Sequence, residues 1–374
     1  MSGHGRSKEL VRELFSLARV DIDGPEPWDF RVADERVFDR VLAQGSLGLG
    51  EAYMDGWWDA RRLDEFFERV IRAELGSRIR RDFGTLLGIA GAVLFNLQSK
   101  RRAFIVGKEH YDLGNDLFER MLDRRMVYTC AYWKDATTLD EAQEAKLDLV
   151  CRKLRLRPGM RILDIGCGWG SFAAFAAERY GVSVVGITVS EEQAVLARKR
   201  CEGQSVEIRV QDYRDVRESF DGIVSLGMFE HVGYRNFRTY FEMATRCLPD
   251  EGLFLLHTIG NNFSDVSVEP WIGRYIFPNG MLPSVSQIGK AIENLFVMED
   301  LHNFGVDYDR TLMAWHANFE RHWPELREKY GERFHRMWNY YLLSCAGSFR
   351  ARNIQLWQIV LSKKGITGGY ESVR

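Results

Sequence analysis

From residue 161 to about residue 260, short apolar runs and helical runs take turns with few interruptions. "RILDIGCGWG" (161–170) reads as a strand running into a glycine turn, and "SFAAFAAERY" follows as a helix. "VSVVGIT" is a second strand, "SEEQAVLARKRC" a second helix and "VEIRVQD" a third strand. "DGIVSLGM" is a fourth strand, "YRNFRTYFEMATRCL" a helix and "GLFLLHTIG" a fifth strand. Such alternation implies a parallel sheet with helices on both faces. A longer irregular stretch, about 260–310, then breaks the pattern; it holds Trp271, Tyr275, Phe277, Pro278 and Pro283. "FRARNIQLWQIVLSK" (349–363) is expected to supply the last strand.

A chain of 374 residues is long for one core, so one large or two unequal domains are expected. Residues 1–97 read as a smaller, mainly helical N-terminal domain, in which helical patterning and glycine turns alternate over 37–71 and Trp57 and Trp58 are expected in the core. Residues 98–108 read as a linker, with "NLQSKRR" (96–102) its best candidate, and 109–374 as the α/β domain. The net charge of −2 gives no pull toward nucleic acid. Cys130, Cys151, Cys167, Cys201, Cys247 and Cys345 form no CxxC pair, which argues against a zinc ribbon or disulfide framework. "MSGHGRSKELVRELFSLARV" reads as an amphipathic helix rather than a signal peptide. The longest apolar run, "LLGIAGAVLF" (86–95), is half the roughly 20 residues that a bilayer span needs, so a cytoplasmic protein without a transmembrane segment is expected. That run is bracketed by basic residues: 72–108 holds eight against two acids, a net of +6. This combination suits docking on an anionic bilayer surface, or a buried helix between two solvated basic loops.

The first strand ends in chemistry. "LDIGCGWG" places Asp164 before Gly166, Gly168 and Gly170, spaced GxGxG rather than the GxGxxG of a dinucleotide fingerprint. Glycines there let the backbone approach a ligand closely and open the helix behind. The motif resembles strand one of the class I S-adenosylmethionine-dependent methyltransferases, which implies a Rossmann-like domain. At the end of strand two, Thr188 stands where such enzymes often carry an acid. Thr188 and Gln193 can hydrogen-bond the cofactor; Ser190 as an N-cap explains the same stretch without a ligand. Asp212 or Tyr213, after strand three, is placed to contact adenine.

"DGIVSLGMFEHVG" (221–233) puts Glu230 and His231 at the end of an apolar strand. A surface turn capping the next helix is the bland account. Ligands of an open parallel sheet, however, bind outside the carboxyl ends of its strands. His257 ends strand five, and neighbouring strands lie about 4.8 Å apart. Glu230 and His257 are therefore expected to face one pocket and to handle a proton, with His231 behind them.

"GKEHYDLGNDLF", "YTCAYW", "LDIGCGWG", "GMFEHVG", "LLHTIG", "WIGRYIFPNG", "DYDRTLMAW" and "FRARNIQLWQ" together closely resemble the bacterial cyclopropane-fatty-acyl-phospholipid synthases, as do "QGSLGLGE" and "YMDGWW". The mycolic acid cyclopropane synthases look similar from about residue 108 onward. The resemblance implies transfer of a methylene group from S-adenosylmethionine to a cis double bond of a phospholipid acyl chain. A carbocation forms, loses a proton from the new methyl group to a bound bicarbonate ion, and closes to a cyclopropane. Cys130, Glu230, His257, Ile259 and Tyr308 match the family's bicarbonate set, with backbone groups expected from Cys130 and Ile259. Glu230 would then hold the base; Glu230 as the base itself is the runner-up. Cys345 matches a cysteine that the family nominates as catalytic, although methyl transfer to an alkene needs no thiolate. The implied cofactor set is Tyr128, Thr129, Asp164, Gly166, Cys167, Gly168, Gly170, Thr188, Gln193, Asp212 and Tyr213. Tyr128, Trp133, Trp271, Tyr275, Phe277 and Tyr308 are candidates to stabilise the cation, and the arginines of "FRARN" to meet lipid phosphate. A homodimer, peripheral on the inner face of the membrane, is implied, and no metal. The competing expectations are a soluble amine methyltransferase and a lipid-binding protein with a degenerate methyltransferase fold.

Overall fold

The computed structural model describes residues 3–75 and 114–374. The expected linker and nearly all of the expected docking stretch 72–108 lie outside the described residues. Two short strands, β1 (Arg31–Val32) and β2 (Trp58–Asp59), pair antiparallel. Seven more build the central sheet: β3 (Arg161–Ile165), β4 (Ser183–Thr188), β5 (Val206–Val210), β6 (Gly222–Leu226), β7 (Leu253–Asn261), β8 (Val297–Asn303) and β9 (Ile354–Ser362). Their order is β5-β4-β3-β6-β7-β9-β8. β3 runs parallel to both β4 and β6, β4 to β5, and β6 to β7, whereas β8 and β9 are antiparallel. The order reverses between β3 and β6, and ligands of open α/β sheets bind at the carboxyl ends beside such a switch point.

Alternate side chains of each strand serve opposite faces. Leu163, Ile165, Phe254, Leu256, Trp357 and Ile359 pack in one core cluster. Ile162, Val184, Val224, Leu255 and Val360 pack in the other. Both faces are dry, which is why these strands read as continuous apolar runs. The helices begin where the chain offers caps. Thr138 and Glu141 form a capping box for Leu139–Lys153, and Ser190 accepts from the Gln193 amide at the start of Glu191–Arg200.

The expected irregular stretch is more ordered than its sequence suggests. It contains the helix Pro270–Tyr275, the helix Val285–Ile292 with a Ser284/Gln287 capping box, and β8. β8 reads VMEDLHN and is the edge strand of the sheet. Its acids break the apolar pattern, and charges on an edge discourage pairing with another chain.

The chain divides into two compact units. The described part of the first comprises 3–75, 267–278 and 308–354; that of the second comprises 114–266, 279–307 and 355–374. The central sheet belongs to the second. In the first, Trp58 is fully buried between Phe30, Tyr53 and Phe66, and its Nε1 donates to the Leu49 carbonyl at 2.8 Å. Trp57, expected in the core, is instead half-buried, with the Arg36 and Arg40 guanidinium groups 4.5 and 4.9 Å from its ring. Strand alternation explains the split, since neighbouring residues at a strand face opposite ways. The glycines of "QGSLGLGE" are structural: Gly45 bends its helix at φ 58°, and a Cβ on Gly50 would lie 2.3 Å from the Trp271 ring. Arg350, expected to meet lipid phosphate, is held by Asp309 at 2.8 Å and Asp64 at 2.7 Å. Among the described residues, no helix is long and apolar enough to cross a membrane.

Two glycines of the second unit give opposite expectations. A Cβ on Gly260 of β7 would lie 1.9 Å from the buried Trp357 ring, whereas one on Gly289, inside Val285–Ile292, meets nothing within 4 Å. Gly260→Ala is expected to destabilise by about 1–3 kcal/mol through overpacking. Gly289→Ala is expected to stabilise by about 0.5–1 kcal/mol through helix propensity. Urea titration of both variants checks the signs.

Candidate active site

The turn after β3 is tied to the end of β4 by the amides of Gly166 and Cys167, which donate to the Ile187 carbonyl at 2.9 and 3.0 Å. Gly166, Gly168 and Gly170 all take left-handed φ values, 79, 54 and 79°. Their spatial roles differ. A Cβ on Gly166 would lie 2.6 Å from Met228 Cβ, and one on Gly170 2.8 Å from Cys201 Sγ. Around Gly168 there is nothing within 4 Å of an added Cβ. The outer glycines thus permit close packing, and the middle one keeps bare backbone beside open space at the start of Ser171–Tyr180. Asp164, one strand position earlier, is 2% exposed and its Oδ2 has no partner. Burial pushes its carboxyl up to about 7 against the pull of the Lys146 charge. A buried carboxyl oxygen without a donor is costly, and a ligand donor would relieve it. The turn and Asp164 therefore fit a bound nucleoside cofactor.

The other residues expected around the cofactor fall into place unequally. Thr188 Oγ1 donates to Gln193 Oε1 at 2.9 Å, and Ser190 caps the helix, so the cap and the Thr188–Gln193 pair coexist. Asp212 accepts from the Arg214 amide at 2.9 Å and from its guanidinium at 3.2 Å. Tyr213 packs edge-on against Tyr240 within the core. Cys167 is buried, and burial pushes its thiol well up. Tyr128 lies edge-on to Phe118, which also packs on Trp169.

Two residues that sequence reasoning misses organise the segment 127–131. Gln143 Nε2 donates to the Thr129 carbonyl at 2.8 Å, and Lys146 Nζ donates to Thr129 Oγ1 at 2.6 Å. Both lie on Leu139–Lys153, and both are fully buried. Burial lowers the Lys146 ammonium to about 8, opposed by Cys130, Asp123 and Asp164 nearby. Thr129 also fills the space over Gly227, where a Cβ would come within 2.6 Å of Thr129 Cγ2. Thr129 and Cys130 are thereby set beside the carboxyl end of β6. A signal exists, since a Gln and a Lys three apart interrupt the apolar stripe of an otherwise ordinary amphipathic helix.

Glu230 follows the end of β6, and His257 lies near the carboxyl end of β7. β6 pairs with β7 so that Leu226 lies opposite His257, and the Gly227 amide donates to the His257 carbonyl at 2.9 Å. The chain then makes the 3-10 turn Phe229–His231. Glu230 is fixed at both ends: its carbonyl accepts from the Met281 amide at 2.8 Å, and its Oε1 accepts from the Ile259 amide at 2.7 Å. Ile259 therefore spends its N–H on Glu230, whereas the family resemblance assigns its backbone to the bound ion. Glu230 Oε2 and His257 Nε2 are buried and have no partner. Burial raises Glu230 from 4.5 to about 7, and the Ile259 amide opposes the rise. Burial drives the His257 pKa well down, and the charges of Lys146 and Lys153 drive it further. At neutral pH the imidazole is therefore neutral, and the carboxyl is held well above its ordinary range. Burial also lowers His231, to about 4.

Tyr308 and Cys345 belong to the first unit. Tyr308 stacks on Phe349 at 4.5 Å. Cys345 lies on Glu332–Arg350, and burial, with the charge of Glu269, pushes its thiol to about 12. Of the aromatic candidates, Trp271 packs on Tyr340 at 4.4 Å, Tyr275 donates to Glu51 at 2.9 Å, and Phe277 lies edge-on to Tyr341. In the second unit, the Trp133 amide donates to Asp307 at 2.8 Å.

Residues 98–359 match the family described as mycolic acid cyclopropane synthetase. The cyclopropane-fatty-acyl-phospholipid synthase of Escherichia coli (strain K12) is 59% identical over 365 residues, covering 98% of this chain and 95% of that protein. The cyclopropane synthase MmaA2 from Mycobacterium tuberculosis superposes with a TM-score of 0.64 at 33% identity, covering 70% of this chain and 98% of that one. Mycolic acid cyclopropane synthase CmaA1, solved in complex with SAH and CTAB, superposes with a TM-score of 0.65 at 34% identity, over 70% of this chain and 98% of that one. A doubly wound sheet with a glycine turn after β3, and family matches running through nearly all its length, make this chain a member of the mycolic acid cyclopropane synthetase family of S-adenosylmethionine-dependent methyltransferases.

Proposed function

We propose that the protein is a cyclopropane-fatty-acyl-phospholipid synthase that uses S-adenosylmethionine and a bound bicarbonate ion. The observation that carries the reading is the pair of buried, unpartnered atoms, Glu230 Oε2 and His257 Nε2, at the carboxyl ends of neighbouring parallel strands. One acceptor and one imidazole nitrogen, both shielded from water, suit a small hydrogen-bonding anion better than they suit each other. The similarity to the E. coli synthase along 98% of the chain supports the phospholipid substrate.

S-adenosylmethionine would supply an electrophilic methyl group, and bicarbonate would supply a base. The protein's own part is to hold and orient. The glycine turn at 166–170 and Asp164 take the cofactor, with Tyr128, Thr129, Cys167, Thr188, Gln193, Asp212 and Tyr213 around it. Glu230, aimed by the Ile259 amide, would hold the ion as an acceptor, and His257 would hold it as a donor. Cys130 and Tyr308 are assigned to the bicarbonate set by the family resemblance. Cys345 has no covalent role in this reading: a thiol at about 12 is protonated at neutral pH, and the thiolate is the nucleophile. The site lies in the cytoplasm, and the enzyme works as a homodimer against an anionic membrane surface, with 72–108 as its docking segment.

Glu230→Gln is expected to fold, to bind S-adenosylmethionine as the wild type does, and to lose cyclopropanation by about 100-fold or more, the scale of one lost transition-state partner. Calorimetry with the cofactor, and lipid mass spectrometry for the CH₂ gain, measure the two. The same variant carries a stability sign. The folded-state pKa of Glu230 is raised from 4.5 to about 7, so its ionisation destabilises the fold progressively as pH rises through that interval. Glu230→Gln should melt higher than wild type at pH 8 and by a smaller margin at pH 5; an equal or lower melting temperature at pH 8 contradicts the assignment.

Bicarbonate depletion in degassed buffer is expected to slow turnover on phospholipid vesicles, and re-addition to restore it. A rate that stays constant while the ion is shown to be absent removes bicarbonate from the reading. Cys345→Ser is expected to keep at least half of the wild-type rate. Loss of all activity at an unchanged melting temperature would give the thiol a chemical role.

A further inference from the structure

Gln358 sits on β9, the neighbour of β7 in the sheet, and is fully buried. Its Nε2 lies 3.3 Å from His257 Nδ1, and its Oε1 has no partner. The amide has two possible orientations, which strand different atoms. As it stands, the carbonyl oxygen and one N–H are left unpaired. Turned over, Oε1 would face Nδ1 and an NH₂ group with two donors would be left in a dry interior. Buried orphan N–H groups are rarer than under-used carbonyls, so the amide donates to Nδ1. An Nδ1 that accepts carries no proton. The ring is neutral, because burial and the facing charges of Lys146 and Lys153 disfavour the imidazolium. Lys153 itself lies 3.0 Å from Nδ1 of His302, the cross-strand partner of Gln358. The single imidazole proton therefore sits on Nε2, the nitrogen without a protein partner.

We infer that Gln358 is a positioning residue: it fixes the His257 tautomer so that Nε2–H is a hydrogen-bond donor, and His257 cannot act as the base. The inference rests on the reading of Glu230 and His257 as an anion site. It deepens that reading by separating two chemistries that the same histidine offers. With Nε2–H, His257 binds an anion; with a bare Nε2, it would itself accept a proton. The outer partner of a histidine commonly decides between the two.

Two substitutions distinguish them. Gln358→Leu removes the bias without reversing it. It is expected to lower turnover by about 10-fold, within the range for lost outer partners, and to leave the pH profile unshifted. Gln358→Glu places a carboxylate at Nδ1, which accepts from Nδ1–H and strips Nε2 of its proton. Turnover is expected to fall by about 100-fold at pH 8, the cost of a lost oriented donor. Activity should recover toward the Gln358→Leu level as pH falls and the new carboxyl protonates, becoming a donor like the amide. Nitrogen-15 NMR of the wild-type histidines, with His257 assigned by the signal lost in His257→Gln, should show a neutral ring protonated at Nε2. A wild-type ring protonated at Nδ1 overturns the inference, as does Gln358→Glu activity that matches wild type at pH 8. Equal losses in both variants at every pH reduce Gln358 to packing and also overturn it. If neither variant folds, the wild-type NMR decides alone. A turnover that ignores bicarbonate defeats the anion reading, while the NMR result still reports on the tautomer, so the two failures are distinguishable.

Discussion

Everything at the candidate site depends on parallel pairing of β3, β6 and β7. Because the three run the same way, their carboxyl ends open on one side of the sheet, and the residues at and just beyond those ends are delivered to the same place. β3 delivers Asp164 and the glycine turn, β6 delivers Glu230, and β7 delivers His257 and Ile259. The register does the fine placement. Leu226 opposite His257 brings the turn after β6 level with the end of β7, where the Ile259 amide reaches Glu230. A one-residue slip would turn His257 to the opposite face of the sheet and leave the Glu230 carboxyl without its donor.

The site, like several other places among the described residues, departs from the rule that buried polar groups are satisfied. Asp164, Glu230 and His257 each keep one buried polar atom without a partner, within a sheet whose other inward side chains are mostly apolar. Lys146 is a buried cation near them, and it lowers both pKa values: it favours the charged form of Asp164 and the neutral form of His257. Such groups weaken the folded state and are tolerated where a ligand completes them.

Much of this is legible in the sequence because parallel strands buried on both faces leave unmistakable apolar runs. The five strands from 161 to 261, the glycine turn and the positions of Glu230 and His257 can all be read from local pattern. The rest escapes for physical reasons. β8 carries acids because it is an edge, so it looks like a loop. Lys146 and Gln358 are polar residues in dry places, and their meaning lies in partners 17 and 101 residues away. The Ile259 amide has no sequence signal at all, since any residue supplies it. The first unit escapes because its segments, 3–75, 267–278 and 308–354, meet only in three dimensions.

The place of β9 in the sheet has a consequence for how the protein is made. β9 lies between β7 and β8, so β8, although synthesised some fifty residues earlier, has no neighbour to pair with until 354–362 has left the ribosome. Pairings across such sequence separations form late, after the loop-closure entropy has been met. During translation the β7 edge, with its backbone N–H and C=O groups unpaired and its apolar side chains uncovered, is the segment most open to wrong partners. The nascent chain's need for a chaperone should therefore centre on the interval between the emergence of β7 and that of β9.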